Sequence, residues 1–181
     1  MPQCLYWLAP EIIRKEPFGL AADTYSIACV LWEIVCRKVP YREMEEIIED
    51  EHRMEVERRK QLAKQRRDMI SQGLPCDIPD NIHATPLKPP EEVLGEMIGY
   101  HHFRPSIPSH AHAGLADIIR QCWHHDPSMR PSLVTVLLQL RVLYHQLGFS
   151  LGKDDWYGIE QTKIECENQG VDINSITVVL E

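Results

Sequence analysis

The sequence has 181 residues, of which 44% are hydrophobic and 25% are charged, and its formal net charge is −8. This length is sufficient for one domain with a buried core, and the acidic balance argues against nucleic acid as a partner. The longest apolar run is interrupted by Glu33 and is too short to cross a bilayer, so we expect no membrane segment. The first residues show no secretory signal and the six cysteines form no C-x-x-C pair, so we expect reduced thiols in the cytoplasm.

The first strong helical pattern covers residues 23–37. Asp23 is predicted to be its N-cap, because the carboxylate can accept a hydrogen bond from an unpaired backbone N–H. Pro40 cannot donate the next helical hydrogen bond and therefore limits the other end. Apolar residues cover most of the circumference, which is typical of a helix inside a domain. We therefore expect a central buried helix.

Residues 42–70 contain neither glycine nor proline and are predicted to form one long helix. Acidic residues dominate its first half and basic residues its second, which suits the helix dipole, and Glu55 and Arg59 are spaced for an ion pair. The apolar residues form only a thin, broken stripe. We interpret the segment as a solvated, protruding helix. The alternative is a partner-docking or coiled-coil helix, although the heptad pattern is not sustained.

The segment at residues 71–90 is rich in proline and lacks periodicity, which predicts a linker. Shorter helices are predicted at residues 91–100, 115–123 and 131–147. Pro131 is expected at the first position of the last helix, and Gly148 at its end.

Several histidines precede and follow Cys122, and imidazole combined with thiolate is a zinc-binding chemistry. They are His101, His102, His110, His112, His124 and His125. No C-x-x-C or H-x-x-x-H frame is present, and Cys122 falls on the apolar face of its predicted helix. We therefore predict no metal site. The basic run at 58–67 follows an acidic block, which argues against a nucleic-acid patch.

Seven short motifs follow one another along the chain. They are APE at 9–11, D-x-Y-S at 23–26, LWE at 31–33, VPY at 39–41, RPSIP at 104–108, CW at 122–123 and DPSMRPS at 126–132. In this order they resemble the C-terminal half of a protein kinase domain, and WLAPE, LWE and CW resemble the tyrosine-kinase and tyrosine-kinase-like groups. The resemblance implies a mainly α fold: the helical C-lobe portion of a protein-kinase-like fold, incomplete, without N-lobe or catalytic loop.

The resemblance also divides the chain into four parts. Residues 1–41 correspond to the substrate-side loop and the central buried helix, and residues 42–90 to a charged helical insertion with a proline-rich linker. Residues 91–148 correspond to the other C-lobe helices. The tail at 149–181 is polar with a β-prone end, and no role is assigned to it.

Site residues are carried over from the family by motif. There, the Glu of APE pairs with the Arg before the proline of the last motif, and these are Glu11 and Arg130 here. Physical chemistry points the same way, because a carboxylate among apolar residues is costly to bury alone and a guanidinium can bind both of its oxygens. The resemblance implies that Trp7 and Leu8 line the substrate-side loop, and that Asp23 reaches the backbone of the catalytic loop.

The family holds ATP and metal with a Gly-rich loop, a strand lysine, an H-R-D loop and a D-F-G motif, all of which precede APE. None of these patterns occurs in the sequence. We therefore expect no catalytic, cofactor-binding or metal-binding residue in this chain. ATP and Mg²⁺ belong to a complete parent, which transfers phosphate from ATP to protein Ser/Thr or Tyr.

Three hypotheses of different class follow. The first is a partial kinase domain that is inactive alone, whose partner is the missing N-terminal part of a kinase. The second is a stand-alone protein-binding module, or a pseudokinase-like competitor, that uses the lobe surface and the charged helix. The third, least favoured, is an enzyme completed in trans by another chain. The expected location is the cytoplasm, or the cytoplasmic side of a membrane receptor if the parent is longer.

Overall fold

A computed structural model describes residues 5–82 and 85–148. Its elements are a 3-10 turn (Leu5–Trp7), α1 (Pro10–Ile13), α2 (Leu20–Cys36), α3 (Arg42–Ser71), α4 (Pro90–Gly99), α5 (Ala113–Cys122), a second 3-10 turn (Pro127–Met129) and α6 (Leu133–Gln146). Within these two ranges there is no strand, which confirms the predicted mainly α, C-lobe-like fold. The tail at 149–181 lies outside the described residues.

The start of α2 differs from the prediction. The helix begins at Leu20 with Gly19 as its N-cap, so the expectation that Asp23 caps it is wrong. The reason is local, since Ala21 and Ala22 are strong helix formers that extend the helix upstream. Asp23 instead lies in the first turn, where a negative charge interacts favourably with the helix dipole.

Helix α2 is the centre of the larger of two hydrophobic clusters. Its Tyr25, Ala28, Cys29 and Trp32 pack with buried residues of α5 and α6. The other side differs, because Val30 is 45% exposed and Ile34 is 66% exposed. The predicted central helix therefore packs in the larger cluster along one side, but its apolar circumference is not buried as fully as expected.

Helix α3 covers almost the predicted range, and its 30 residues correspond to a length of about 45 Å. Its only buried residue, Ile48, belongs to the second hydrophobic cluster. The buried members of that cluster are Leu5, Tyr41, Ile48, Leu94 and Ile98. Beyond its first two turns, which we call its root, α3 is mostly exposed, as its charge pattern predicts, and Met54 is 64% exposed.

The proline-rich segment after α3 returns along the same helix. Arg59 donates from Nη1 to the Thr85 carbonyl oxygen at 2.6 Å. Arg66 donates from Nε to the Ile78 carbonyl oxygen at 3.1 Å and also pairs with Asp80. The linker is therefore attached to α3 by arginine side chains, a feature that its composition did not predict.

Helix α6 begins at Leu133, so the prediction that Pro131 occupies its first position is wrong. Ser132 is the N-cap, because its Oγ accepts a hydrogen bond from the Thr135 backbone N–H at 3.1 Å. Gly148 follows the helix with a φ of +80°, a left-handed conformation that favours glycine. The predicted stop at this glycine is confirmed.

Candidate functional site

The structure brings Glu11 of α1 and Arg130 into a two-pronged ion pair. Nη1 of Arg130 lies 2.7 Å from Oε1 of Glu11, and Nη2 lies 2.8 Å from Oε2. The exposed fractions of the two side chains are 0% for Arg130 and 2% for Glu11. In this planar, bidentate geometry a buried carboxylate stays charged.

All N–H groups of Arg130 have acceptors. Besides Glu11, the guanidinium donates to the carbonyl oxygens of Ala21 at 2.8 Å, His124 at 2.7 Å and His125 at 3.2 Å. Burial alone raises the pKa of the Glu11 carboxyl, but the hydrogen bonds and charge of Arg130 outweigh it, and the pKa is lowered overall. The arginine therefore connects α1, the start of α2 and the segment after α5.

The local sequence explains the positions of Glu11 and Arg130. Pro10 occupies the first position of α1, where its missing N–H costs nothing, and Glu11 follows in the first turn. Arg130 ends the 3-10 turn that Asp126 caps, since Asp126 Oδ1 accepts a hydrogen bond from the Ser128 backbone N–H at 2.9 Å.

The segment Leu5–Leu8 lies beside α2. Trp7 Nε1 donates to Glu33 Oε2 at 3.3 Å, and Ser26 Oγ donates to the Trp7 carbonyl oxygen at 2.7 Å. Trp7 and Leu8 are both half-buried. The Asp23 side chain is exposed and has no hydrogen-bond partner among the described residues. Asp23 thus forms no hydrogen bond with Glu11 or Arg130.

One contact of this segment has no signal in the sequence. The Tyr6 hydroxyl donates to Glu45 of α3, and Arg42 Nη1 donates to the same carboxylate at 3.0 Å. Burial and the hydrogen bond to Glu45 raise the pKa of Tyr6. Tyr6 and Glu45 are 39 positions apart, and no periodic pattern relates them.

Of the six histidines named above, two are stacked on each other, whereas His101, His110, His112 and His124 are exposed. The rings of His102 and His125 are stacked with centroids 3.5 Å apart, and Arg14 Nη1 lies 3.1 Å from His125 Nε2. Burial, with nearby cationic groups, lowers the pKa of His125 to about 4. Over the described ranges, no group of His, Cys, Asp and Glu is arranged to hold a metal ion.

The described cysteines are free thiols. Burial raises the pKa of Cys29 and of Cys122 to about 12, so both are protonated at neutral pH. A protonated, buried thiol is a poor nucleophile and a poor metal ligand.

A cavity of about 500 Å³ opens between the end of α2, the root of α3 and the loop after α4. Its volume is within the range of small-ligand pockets. Aromatic and aliphatic side chains line most of it, among them Trp32, Val39, Tyr41, Met44, Ile47 and Phe103. The sequence did not predict it, because its walls come from three separate segments.

Comparison with known proteins defines the class. The family model described as "Protein kinase domain" matches residues 3–141. This chain therefore belongs to the protein kinase domain family, as the seven motifs predicted.

The curated proteins to which this chain is similar include several protein kinases. The chain is 24% identical over 152 residues to the serine/threonine-protein kinase STY17 of Arabidopsis thaliana, covering 84% of this chain and 19% of that protein. It is 28% identical over 137 residues to the probable serine/threonine-protein kinase drkC of Dictyostelium discoideum, covering 76% and 12%. It is 22% identical over 155 residues to the human mitogen-activated protein kinase kinase kinase 11, covering 86% and 13%.

The chain thus spans about a fifth or less of the length of these relatives. Among the helices described here, none is both long enough and apolar enough to cross a membrane.

Proposed function

We propose that residues 5–148 form part of the C-lobe of a tyrosine-kinase-like protein kinase domain, and that this chain alone does not transfer phosphate. Phosphate transfer requires groups that hold ATP and Mg²⁺ and that position the acceptor hydroxyl. The sequence carries none of the motifs that supply them in this family. In a complete domain those groups come from additional polypeptide, and Trp7 and Leu8 contribute to the loop that receives the protein substrate.

The observation that carries this proposal is the uncovered side of α2. Ile27, Val30, Leu31 and Ile34 follow helical spacing along this side; Val30 and Ile34 are exposed, whereas Ile27 and Leu31 are half-buried against the larger cluster. Ile34 is 66% exposed, and Leu20 at the start of the helix is 76% exposed. Exposed apolar side chains such as these on a central helix indicate a surface that another polypeptide covers. The catalytic half of a kinase domain fits this requirement.

For the complete kinase domain, we propose that the group that accepts the phosphate is a Ser or Thr hydroxyl of a protein. The names of the Arabidopsis and Dictyostelium relatives given above support this choice, since both are described as serine/threonine-protein kinases. The tyrosine-kinase-like assignment rests on the WLAPE, LWE and CW motifs.

The first test is titration of Mg²⁺–ATP into the 181-residue chain by calorimetry. We expect no binding heat, and saturable binding would overturn the proposed inactivity. An antibody against residues 42–70 then gives the size of the native product on a denaturing gel. A band far above 21.0 kDa supports a longer parent kinase. A band at that mass alone would reject it.

The uncovered face has its own test. Ile34→Glu places a charge on the apolar stripe and is expected to reduce self-association of the isolated chain. Met54→Glu is the matched control, because Met54 is 64% exposed on α3, away from this face. Equal behaviour of the two variants would contradict the idea that the α2 face requires a cover.

The second candidate function is a stand-alone binding module or pseudokinase-like competitor. The 500 Å³ cavity at the root of α3 is the observation that favours it, because an apolar pocket can hold a ligand without any catalytic group. A native product of 21.0 kDa that co-purifies stoichiometrically with a full-length kinase would favour this function over the first.

A further inference from the structure

We propose that the inserted helix α3 positions the substrate-side segment Leu5–Leu8, and that Glu45 is the positioning residue. This inference rests on the proposed function, which assigns that segment to substrate recognition. It adds the mechanism by which an insertion between two lobe helices acts on the site.

The root of α3 is packed beneath the segment. Leu5 shares a hydrophobic cluster with Ile48 of α3 and with Leu94 and Ile98 of α4. Met44 and Tyr6 pack against the same cluster. The first two turns of α3 therefore support residues 5 and 6, whereas the rest of α3 contacts the return segment at residues 78 and 85.

A polar contact fixes the same two elements. The Tyr6 hydroxyl donates to Glu45, whose second contact is Arg42 Nη1 at 3.0 Å. The Glu45 side chain is 14% exposed, in contrast to 58% for its neighbour Glu46. Glu45 is thus the shielded carboxylate of this acidic run, and it is the one that touches the segment. A charge-assisted hydrogen bond in such a place is stronger than one in water.

The position of Tyr6 influences that of Trp7, because the two side chains are in contact. Their rings meet edge to face, with centroids 5.6 Å apart. Trp7 is held from the other side by Glu33 at 3.3 Å and by Ser26 Oγ at 2.7 Å from its carbonyl oxygen. The segment therefore lies between α2 and the root of α3, and a change at either wall alters the orientation of Trp7.

The coupling is measured first in the 181-residue chain, by hydrogen exchange of the amides of residues 5–8. Glu45→Gln keeps an oxygen that can accept from Tyr6 but removes its charge, and the net difference between a charged and a neutral hydrogen bond, about 1 kcal/mol, corresponds to a change of about fivefold. Glu45→Gln is therefore expected to speed exchange in this segment by about fivefold. Glu46→Gln is the matched control, because Glu46 also accepts from Arg42 but does not contact Tyr6. Equal exchange in the two variants would overturn the proposal.

Two further readouts separate positioning from general destabilisation. NMR titration of the Tyr6 ring is expected to show a lower pKa in Glu45→Gln than in the parent chain, and no change in Glu46→Gln. Tyr6→Phe is expected to speed exchange like Glu45→Gln, and the double variant is expected to add nothing. Additive effects of the two substitutions would mean that the contact does not carry the coupling.

The consequence for substrate is measured in the complete parent kinase that the proposed function requires. Glu45→Gln is expected to raise the KM for a protein substrate about fivefold at unchanged kcat, whereas Glu46→Gln leaves both unchanged. A fall in kcat with unchanged KM would contradict a positioning role. If the parent protein transfers no phosphate, the proposed function fails and the substrate part of this inference fails with it. The exchange experiment still decides separately whether α3 holds the segment.

Discussion

Arg130 and Glu11 are 119 positions apart in the sequence, yet two of the arginine nitrogens lie 2.7 and 2.8 Å from the two carboxylate oxygens. The pair closes the described lobe, because it joins the turn after α5 to α1 and, through the Ala21 carbonyl oxygen, to α2. Since both charges are shielded from water, each depends on the other for its stability in the folded state.

Substitution of Arg130 is the sharpest test of this relationship. Arg130→Ala strands the buried Glu11 carboxylate, and we expect the free energy of unfolding to fall by about 3–5 kcal/mol. Urea denaturation followed by circular dichroism measures the change. The matched control is Arg120→Ala, because Arg120 and Asp117 form an exposed pair on α5. An Arg130→Ala midpoint as high as that of the control would show that the pair does not stabilise the lobe.

Lowering the pH is expected to reduce the free energy of unfolding in two successive pH ranges. Burial holds the pKa of His125 at about 4 against an ordinary value of 6.5, so the unfolded state binds this proton first and stability falls as the pH drops from 6.5 toward 4. The lowered pKa of Glu11 adds a further loss as the pH falls below 4.5.

The assignment to His125 is tested with His125→Gln, whose amide oxygen can still accept from Arg14. Denaturation midpoints measured between pH 7 and 5 are expected to change less in this variant than in the parent. His110→Gln serves as the control, since His110 is exposed. Parallel pH profiles for the His125 variant and the parent would exclude His125 as the titrating group.

Two glycines of α4 provide a matched pair. A Cβ at Gly95 would lie 3.7 Å from Cγ2 of Ile13, which is ordinary contact, whereas a Cβ at Gly99 would lie 3.2 Å from the same atom. Gly95→Ala is therefore expected to stabilise the chain by about 0.5–1 kcal/mol through helix propensity. Gly99→Ala is expected to stabilise the chain less than Gly95→Ala, because the Ile13 side chain must move to make room for the new Cβ. Thermal unfolding compares the two, and a larger gain at Gly99 would contradict the packing of α1 on α4.

The return segment after α3 is expected to depend on Arg59. Both Arg58 and Arg59 bind Glu55, but only Arg59 also donates to the Thr85 carbonyl oxygen, at 2.6 Å. Arg59→Ala should therefore speed proteolysis between residues 74 and 88, and Arg58→Ala should not. Identical cleavage rates in the two variants would mean that this contact does not hold the segment.

Some features of the fold and of the site can be predicted from the sequence, and others cannot. Helix α3 was predicted nearly to its ends, because a run without glycine or proline carries its own helix propensity. The start of α2 lies three residues before the predicted Asp23, because Ala21 and Ala22 favour helix as strongly as Asp23 favours a cap. The contact between Tyr6 and Glu45 was missed because neither residue belongs to a motif or a periodic pattern.

The sequence by itself determined the family, the helical class and the absence of the ATP-binding patterns, because these depend on local order along the chain. The tertiary structure decided which charges are shielded and which helix face is left uncovered. Burial of Glu11 by Arg130, exposure of Ile34 and the support of Tyr6 by Glu45 each depend on segments far apart in sequence. Their energies arise from desolvation and packing, which exist only once those segments have come together.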